Sequence, residues 1–179
     1  MINIIELTAA KIGDLHRANQ PFDIIGCLNL TFNNGRWEHS EDLTCATAEK
    51  QYPNYDGATP SDYIGSQDRI AYLAYDDDRC AGQLLLAKTW NGYAHIEDIS
   101  VAKTHRGQGV GTALLAKACE WAKANNLGAL SVECQDNNLL ASRFFIKHGF
   151  EIGGVNTQLY AMLGKPYSTE TAVFWYKKL

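Results

Sequence analysis

The stretch "THRGQGVG" at residues 104–111 constrains the fold more than any other part of the sequence. It follows the apolar run "YAHIEDISV" and precedes "TALLAKACEWAKANN", which has the spacing of an amphipathic helix. A strand ending at Val101, a glycine turn and a helix from about Val110 to Asn126 are therefore predicted. Because a helix N-terminus offers N–H groups and the positive end of its dipole, the turn is expected to bind an anion, most naturally a pyrophosphate.

This turn matches neither of the common nucleotide-binding motifs. A Walker loop requires Lys followed by Ser or Thr after its last glycine, and that pair does not follow Gly111. A dinucleotide fingerprint requires G-x-G-x-x-G, and the glycines of "GQGVG" do not have this spacing, because one residue instead of two precedes the last of them. From these residues alone, a plain strand-to-helix connection remains an alternative.

Elsewhere in the chain, some stretches have a clear secondary-structure pattern and others do not. Its 179 residues, 46% of them hydrophobic, suit one domain over residues 1–179. Residues 2–7 predict a strand, and residues 69–101 predict three strands joined by turns at "DDDR" and "NG". "ALSVEC", "FEIGG" and "TAVFWYKK" predict further strands, and "NLLASRFFIKH" predicts a second helix. Residues 8–68 give no clear pattern, because "NNG" and a loop-like stretch interrupt the apolar runs, so one or two strands or short helices are expected there.

Composition excludes several classes of protein. A net charge of −4 argues against a nucleic-acid-binding protein. No stretch approaches the roughly 18 consecutive apolar residues of a membrane span, and the N-terminus lacks a signal pattern, so a soluble, cytoplasmic protein without a membrane partner is expected. The five cysteines are scattered without a C-x-x-C pair, which favours neither a disulfide framework nor a metal site.

A second motif changes the interpretation of the glycine turn. Residues 137–150, "NNLLASRFFIKHGF", contain N-x-x-A-x-x-x-F-x-K-x-G-F. Together with R-x-x-G-x-G, this resembles the GNAT acyltransferase superfamily, in the family's order and spacing. The resemblance implies a mixed α/β fold, with a twisted, mostly antiparallel sheet, a splayed parallel strand pair and flanking helices. It implies acetyl-CoA as co-substrate, bound by Ile99, Val101, Arg106, Gly107, Gln108, Gly109, Val110, Gly111, Thr112, Asn138, Ala141 and Phe145.

Within that superfamily, the sequence is most similar to the streptothricin N-acetyltransferases. The similarity includes "WNGYAHIEDISVAKTHRGQGVG", "VECQDNN", "FEIGGVNTQLYA" and "ETAVFWY". It implies direct transfer of acetyl, in a ternary complex, to the β-lysine amine of streptothricin, a cationic small molecule. Another amine (an aminoglycoside, a polyamine or a protein N-terminus) and a non-catalytic acyl-CoA-binding module remain alternatives. The protein is expected to be a monomer or a homodimer.

The strand before the turn is expected to carry the chemistry. Strand alternation predicts that His95, Glu97, Ile99 and Val101 share one side, opposite Asp98 and Ser100. By resemblance, the backbone of Ile99 and Val101 pairs with the pantetheine, and the Val101 N–H stabilises the oxyanion. An amine with a pKa near 10 must lose a proton before it attacks, and Glu97 is the first candidate to assist, ahead of His95.

The proton donor to the leaving thiolate is the least defined role. Many members of the family have Tyr where this chain has Phe145, which has no proton to give. Either Tyr160 substitutes or the thiolate leaves without a dedicated acid. Cys134 is expected to be a packed, inert thiol rather than a nucleophile. Acidic residues in the N-terminal region are a candidate wall for a cationic ligand, with a solvated surface as the alternative: Glu38, Glu41, Asp42, Asp56, Asp62 and Asp68.

Overall fold

The computed structural model describes residues 1–179, except for the side chains of residues 45–47. The chain divides into two compact units, one formed by residues 1–22, 51–130 and 179, and the other by residues 23–50 and 131–178. Each unit contains both strands and a helix, as a mixed α/β protein should. The single domain over residues 1–179 stays a prediction.

The first unit is a four-stranded antiparallel sheet covered by a helix. Its strands are β1 (Ile2–Glu6), β4 (Arg69–Asp76), β5 (Arg79–Lys88) and β6 (Tyr93–Val101), in the order β1-β4-β5-β6. Helix α1 (Val110–Ala124) packs on β5 and β6, and short 3-10 turns lie at Ala9–Asp14, Pro60–Tyr63 and Lys103–His105. The strands predicted at residues 2–7 and 69–101, and the helix after the glycine turn, are confirmed.

Strand β5 lies in the interior of the first unit. Seven consecutive residues of β5 are buried, because both of its faces are covered. On one face, Gly82 lets α1 approach closely, since a Cβ there would lie 3.0 Å from the side chains of Val110 and Leu114. On the other face, Leu85 packs in a core cluster with Tyr63 and Leu73. Gly82 therefore fixes the start of α1 against the end of β6.

The second unit contains the remaining elements. A ribbon of β2 (Phe22–Asn33) and β3 (Arg36–Lys50) forms one sheet, and β7 (Ala129–Gln135), β9 (Ala172–Lys178) and β8 (Glu151–Asn156) lie in that order. Helix α2 (Leu139–Lys147) follows β7, and further 3-10 turns lie at Ala161–Leu163 and Tyr167–Thr169. The predicted strands at "ALSVEC", "FEIGG" and "TAVFWYKK" and the second helix are confirmed.

The β2–β3 ribbon lies in the region where one or two strands or short helices are expected, and this expectation is confirmed. "NNG" was expected to interrupt apolar runs, but Asn34 and Gly35 have positive φ values of 49° and 78° and form the turn of a long hairpin. Most described residues of β3 are exposed, so this strand lacks the alternating apolar pattern from which a half-buried strand is recognised.

No helix in the described part of the chain has both the length and the apolar character needed to cross a membrane. Of the cysteines, Cys27, Cys80, Cys119 and Cys134 are free thiols, and the side chain of Cys45 lies outside the described residues.

Candidate active site

The glycine turn has the backbone geometry of an anion-binding cup. Gly107 and Gly109 have φ values of 74° and 88°, which side chains with a Cβ rarely adopt. A Cβ built on either glycine would have no neighbouring heavy atom within 4 Å, so conformation rather than packing requires glycine there. The space next to both residues is open to a ligand.

The start of α1 completes this cup. Gly109 is the N-cap of the helix, and the N–H groups of Val110, Gly111 and Thr112 belong to its first turn, where the helix supplies no acceptor. In α1, which the structure describes completely, the first turn has no acidic side chain. The helix dipole is therefore not opposed locally, and the residues fit a pyrophosphate.

Arg106 and Gln108 hold the turn in place. The guanidinium of Arg106 donates to the carbonyl oxygens of Val101 (3.0 Å), Pro21 (2.7 Å) and Gln20 (2.8 Å). The amide of Gln108 donates to the carbonyl oxygen of Thr104 at 2.8 Å. These contacts give both residues a structural role in the cup, and direct binding of a phosphate by either one stays a prediction.

Strand β6 contains a β-bulge at Glu97 that corrects the predicted alternation. Leu85 pairs with Asp98 and Leu86 pairs with Ile96, so Glu97 has no partner on β5. His95 pairs with Ala87, which lies on the same side of β5 as Leu85. The expectation that His95 shares a side with Ile99 and Val101 is therefore wrong.

The two sides of β6 have different chemistry as a result. Ile96 and Ile99 lie opposite Leu86 and Leu84, on the side that α1 covers. His95 and Asp98 lie on the other side, and Glu97 also points there, since it bonds to Tyr63 of the core cluster on that side. A single extra residue thus gathers an imidazole and two carboxylates.

The backbone of Ile99 and Val101 is oriented as their predicted role requires. The N–H of Ala102 donates to the carbonyl of Ala81 at 2.9 Å, which makes these two a hydrogen-bonded pair. Because such pairs alternate in an antiparallel ladder, Val101 with Gly82 and Ile99 with Leu84 are non-hydrogen-bonded pairs. Their N–H and C=O groups consequently point away from β5, towards the other edge of β6.

Glu97 is the centre of a buried polar cluster that the sequence did not reveal. Its side chain is 5% exposed and accepts hydrogen bonds from the hydroxyls of Tyr55 (2.9 Å) and Tyr63 (2.7 Å). Arg69 donates to both oxygens of the carboxylate, with a distance of 2.6 Å to Oε2. Burial and the neighbouring carboxylate raise the pKa of both phenols, so they remain donors.

His95 lies close to this cluster and is well suited to accept a proton. Burial lowers the pKa of His95, while the charge of Glu97 raises it to a smaller extent. The imidazole is therefore uncharged at neutral pH, and the carboxylate nearby favours the imidazolium that forms when a proton arrives.

Asp98 forms a second network that the sequence missed. Its carboxylate accepts from the amide of Gln83 and from the hydroxyl of Ser100 (3.1 Å). Gln83, which is completely buried, in turn accepts from the backbone N–H of His16 at 2.5 Å. His16 has a positive φ of 70°, so this network holds the loop before β2 in an unusual conformation.

The predicted residues of the second unit have clear structural partners. Asn138 is the N-cap of α2, and its Oδ1 accepts from the N–H of Ala141 at 3.1 Å. Phe145 is 2% exposed and packs against the rings of Phe150 and Trp175. Contacts of Asn138, Ala141 and Phe145 with the pantetheine stay predictions.

The remaining sequence candidates are distributed over both units. The Tyr160 hydroxyl donates to Glu133 Oε1, so its proton is already engaged. Burial raises the pKa of the Cys134 thiol to about 12, and the Trp175 indole donates to its sulfur. Among the acidic candidates, Glu41 pairs with Arg143, and Asp62 accepts from Thr59 in a 3-10 turn.

Comparisons with known proteins match this arrangement. The Acetyltransferase (GNAT) family matches residues 36–150, more than half of the chain. The chain belongs to the GNAT acetyltransferase family. It is 41% identical to streptothricin acetyltransferase A of Bacillus subtilis (strain 168), over 98% of this chain and 99% of that protein. It is 38% identical to a streptothricin acetyltransferase of Escherichia coli, over 65% and 66% of the two chains.

A solved structure supports the same conclusion. A Bacillus anthracis protein, crystallised in complex with acetyl coenzyme A, has a TM-score of 0.90 and 33% identity over 100% of both chains. The fold class expected for this GNAT protein is therefore confirmed. The protein is an acetyl-CoA-dependent N-acetyltransferase, and the cup at the start of α1 fits the expected co-substrate.

Proposed function

We propose that this acetyltransferase modifies a primary amine of a cationic small molecule, namely the β-lysine amine of streptothricin. The observation that carries this proposal is the similarity to streptothricin acetyltransferase A over nearly the whole of both chains. Acetylation would remove a positive charge from the antibiotic, and the enzyme would thereby confer resistance. The substrate is a small cation, and the residues that recognise it are distinct from those that bind acetyl-CoA.

The glycine turn and β6 bind and orient the co-substrate in this proposal. Gly107, Gly109 and the first turn of α1 hold the pyrophosphate, and the outward backbone groups of Ile99 and Val101 align the pantetheine along β6. Acetyl-CoA supplies the acetyl group as a thioester. The N–H of Val101, which points away from β5, stabilises negative charge on the thioester oxygen.

His95 accepts the proton of the substrate amine, and Glu97 is a positioning residue. Both oxygens of Glu97 already accept hydrogen bonds from Tyr55, Tyr63 and Arg69, which weakens this carboxylate as a base. His95 is uncharged because burial lowers its pKa, so it is ready to accept a proton. The proposal therefore ranks His95 ahead of Glu97, the reverse of the order expected from the sequence.

The thiolate leaves without a dedicated acid. Phe145 has no proton and is packed in the core, and the Tyr160 proton is engaged with Glu133. Acetyl transfer is direct, within a ternary complex. The Cys134 thiol, which the sequence predicts to be inert, stays protonated because burial raises its pKa.

The substrate is tested by measuring thiol release from acetyl-CoA with streptothricin, a polyamine, an aminoglycoside and a peptide with a free N-terminus. Streptothricin is expected to give the highest kcat/KM. If the protein binds acetyl-CoA but releases thiol above background with other amines only, streptothricin is not its substrate.

The role of His95 is tested by the substitution His95→Gln. Because burial lowers the pKa of His95, wild-type kcat is expected to decrease only below about pH 6.5, where the imidazole becomes protonated. The variant is expected to lose about 100-fold in kcat and to lack this acidic limb. The matched substitution His39→Gln, at an exposed residue, should change neither. An unchanged acidic limb in His95→Gln would remove His95 from the mechanism.

A further inference from the structure

The loop of residues 16–21, which lies between the first 3-10 turn and β2, supports the glycine turn. Two of the carbonyl oxygens that accept from the Arg106 guanidinium belong to Gln20 and Pro21 of this loop. The side-chain oxygen of Gln20 also accepts from the backbone N–H of Lys103 at 2.8 Å. The position of the glycine turn therefore depends on the position of residues 16–21.

Residues 16–21 form neither a helix nor a strand, so their position has to be fixed by side-chain contacts. His16 has a positive φ of 70°, which is unfavourable for a residue with a Cβ. Its backbone N–H donates to Gln83 Oε1 at 2.5 Å, and its carbonyl oxygen accepts from the N–H of Asn19 at 3.0 Å. A strained backbone conformation persists only where its surroundings enforce it, so the loop depends on its bond to Gln83.

Gln83 connects this loop to β6 through the interior of the first unit. Its side chain is completely buried and lies on the same side of β5 as Leu85. Its Nε2 donates to the carboxylate of Asp98, which also accepts from the Ser100 hydroxyl at 3.1 Å. Asp98 and Ser100 flank Ile99, so a single amide joins the loop to the part of β6 that is expected to align the pantetheine.

These contacts all lie within the first unit, and they join the two parts of the expected acetyl-CoA site. The glycine turn is attached to β6 directly, because Arg106 donates to the carbonyl of Val101. It is attached a second time through residues 16–21 and Gln83. A ligand that spans two sites binds tightly only when the distance between the sites matches its length, so the second attachment is expected to affect the binding of acetyl-CoA.

We propose that Gln83 is a positioning residue for acetyl-CoA, which fixes the distance between the glycine turn and β6. This inference rests on the proposed placement of acetyl-CoA, with its pyrophosphate in the turn and its pantetheine along β6. Gln83 itself does not contact the co-substrate, because its side chain is completely buried. It acts through His16 on the turn and through Asp98 on the strand, so that pyrophosphate and thioester reach their places together.

The test compares acetyl-CoA with ADP, whose pyrophosphate fits the turn but which has no pantetheine to reach β6. The Kd of acetyl-CoA is measured by calorimetry, and that of ADP by its competition with acetyl-CoA. Gln83→Glu places a second carboxylate against Asp98 and so breaks their hydrogen bond. The substitution should raise the Kd of acetyl-CoA about 10-fold and that of ADP by less than about threefold, because only acetyl-CoA spans both sites.

A compensating substitution separates positioning from a general structural role. In the double variant Gln83→Glu with Asp98→Asn, the new amide at position 98 donates to the new carboxylate, which still accepts from the N–H of His16. The hydrogen bond is thus restored with its direction reversed. The Kd of acetyl-CoA should return to within about threefold of the wild-type value, a non-additive result that residues in contact produce.

An exposed variant protects the test from a folding defect. Gln20→Ala removes the bond to the Lys103 N–H at the surface, and it should weaken the binding of acetyl-CoA more than that of ADP. The matched control Gln67→Ala, at another exposed glutamine of the first unit, should change neither Kd.

The outcomes distinguish this inference from the proposal on which it rests. An equal loss of affinity for acetyl-CoA and ADP in Gln83→Glu, or no recovery in the double variant, would overturn the inference and leave the proposed placement of acetyl-CoA intact. If Gln83→Glu does not fold, equal Kd values in Gln20→Ala and Gln67→Ala would overturn it. Failure of ADP to compete with acetyl-CoA in the wild type would overturn the proposed placement and the inference together.

Discussion

Glu97 and Glu170 are both almost fully buried, and each pairs with one basic side chain, but their hydrogen bonding differs. Both oxygens of Glu97 accept bonds, from Arg69 and two tyrosines. Glu170 uses one oxygen for Lys50 and Asn137, and the other accepts no hydrogen bond from the described residues. A buried carboxylate with complete hydrogen bonding is suited to hold a strand in place. One with an unused oxygen carries the cost of a buried acceptor without a donor.

The largest expected effect is the loss of the cation beside Glu97. Arg69→Met leaves a buried carboxylate without its counter-charge, which should lower the free energy of unfolding by about 3 kcal/mol in a urea titration. The exposed control Arg79→Met should change it by less than about 0.5 kcal/mol. Equal stability of the two variants would mean that the Glu97 cluster does not stabilise the first unit.

A smaller loss is expected from removing one phenol of the same cluster. Tyr63→Phe deletes a hydrogen bond to a charged group and should cost about 2 kcal/mol. The raised pKa of Tyr63 means that this advantage of the wild type is complete below about pH 10, the ordinary value, and declines as the pH rises further. Urea titrations between pH 7 and 11 measure it.

The direction of the change in the free energy of unfolding distinguishes the region of Glu97 from that of Glu170. In the second unit, Gln135→Met removes a buried acceptor that receives no hydrogen bond from the described residues, so a gain in stability is expected instead of a loss. If Tyr63→Phe and Gln135→Met shifted the free energy of unfolding in the same direction, the contrast between the two regions would be wrong.

The smallest expected effect concerns the packing of Tyr55. A Cβ at Gly57 would overlap the Tyr55 hydroxyl, so Gly57→Ala should displace this phenol from Glu97 and cost about 1 kcal/mol. Gly13→Ala is the control, because a Cβ there has no neighbour within 4 Å. Absorbance titration at high pH should show the pKa of Tyr55 returning towards its ordinary value in Gly57→Ala alone.

The order of the elements could be predicted wherever local pattern and burial agree. The glycine turn, α1, the strands of residues 69–101 and the helix that Asn138 caps are encoded within short stretches of sequence. The β2–β3 ribbon could not be predicted in the same way, because β3 is largely exposed and its apolar residues do not alternate.

By itself, the sequence determined the backbone geometry of the glycine turn, because positive φ at Gly107 and Gly109 and the helix N-terminus depend on adjacent residues. The residues that contact this turn and Glu97 could be identified only from the tertiary structure. The bulge at Glu97 depends on the register with β5, and Arg106 binds carbonyl groups 85 and 86 positions away. Contacts between distant segments depend on how the elements pack, so they cannot be predicted from a short stretch of sequence.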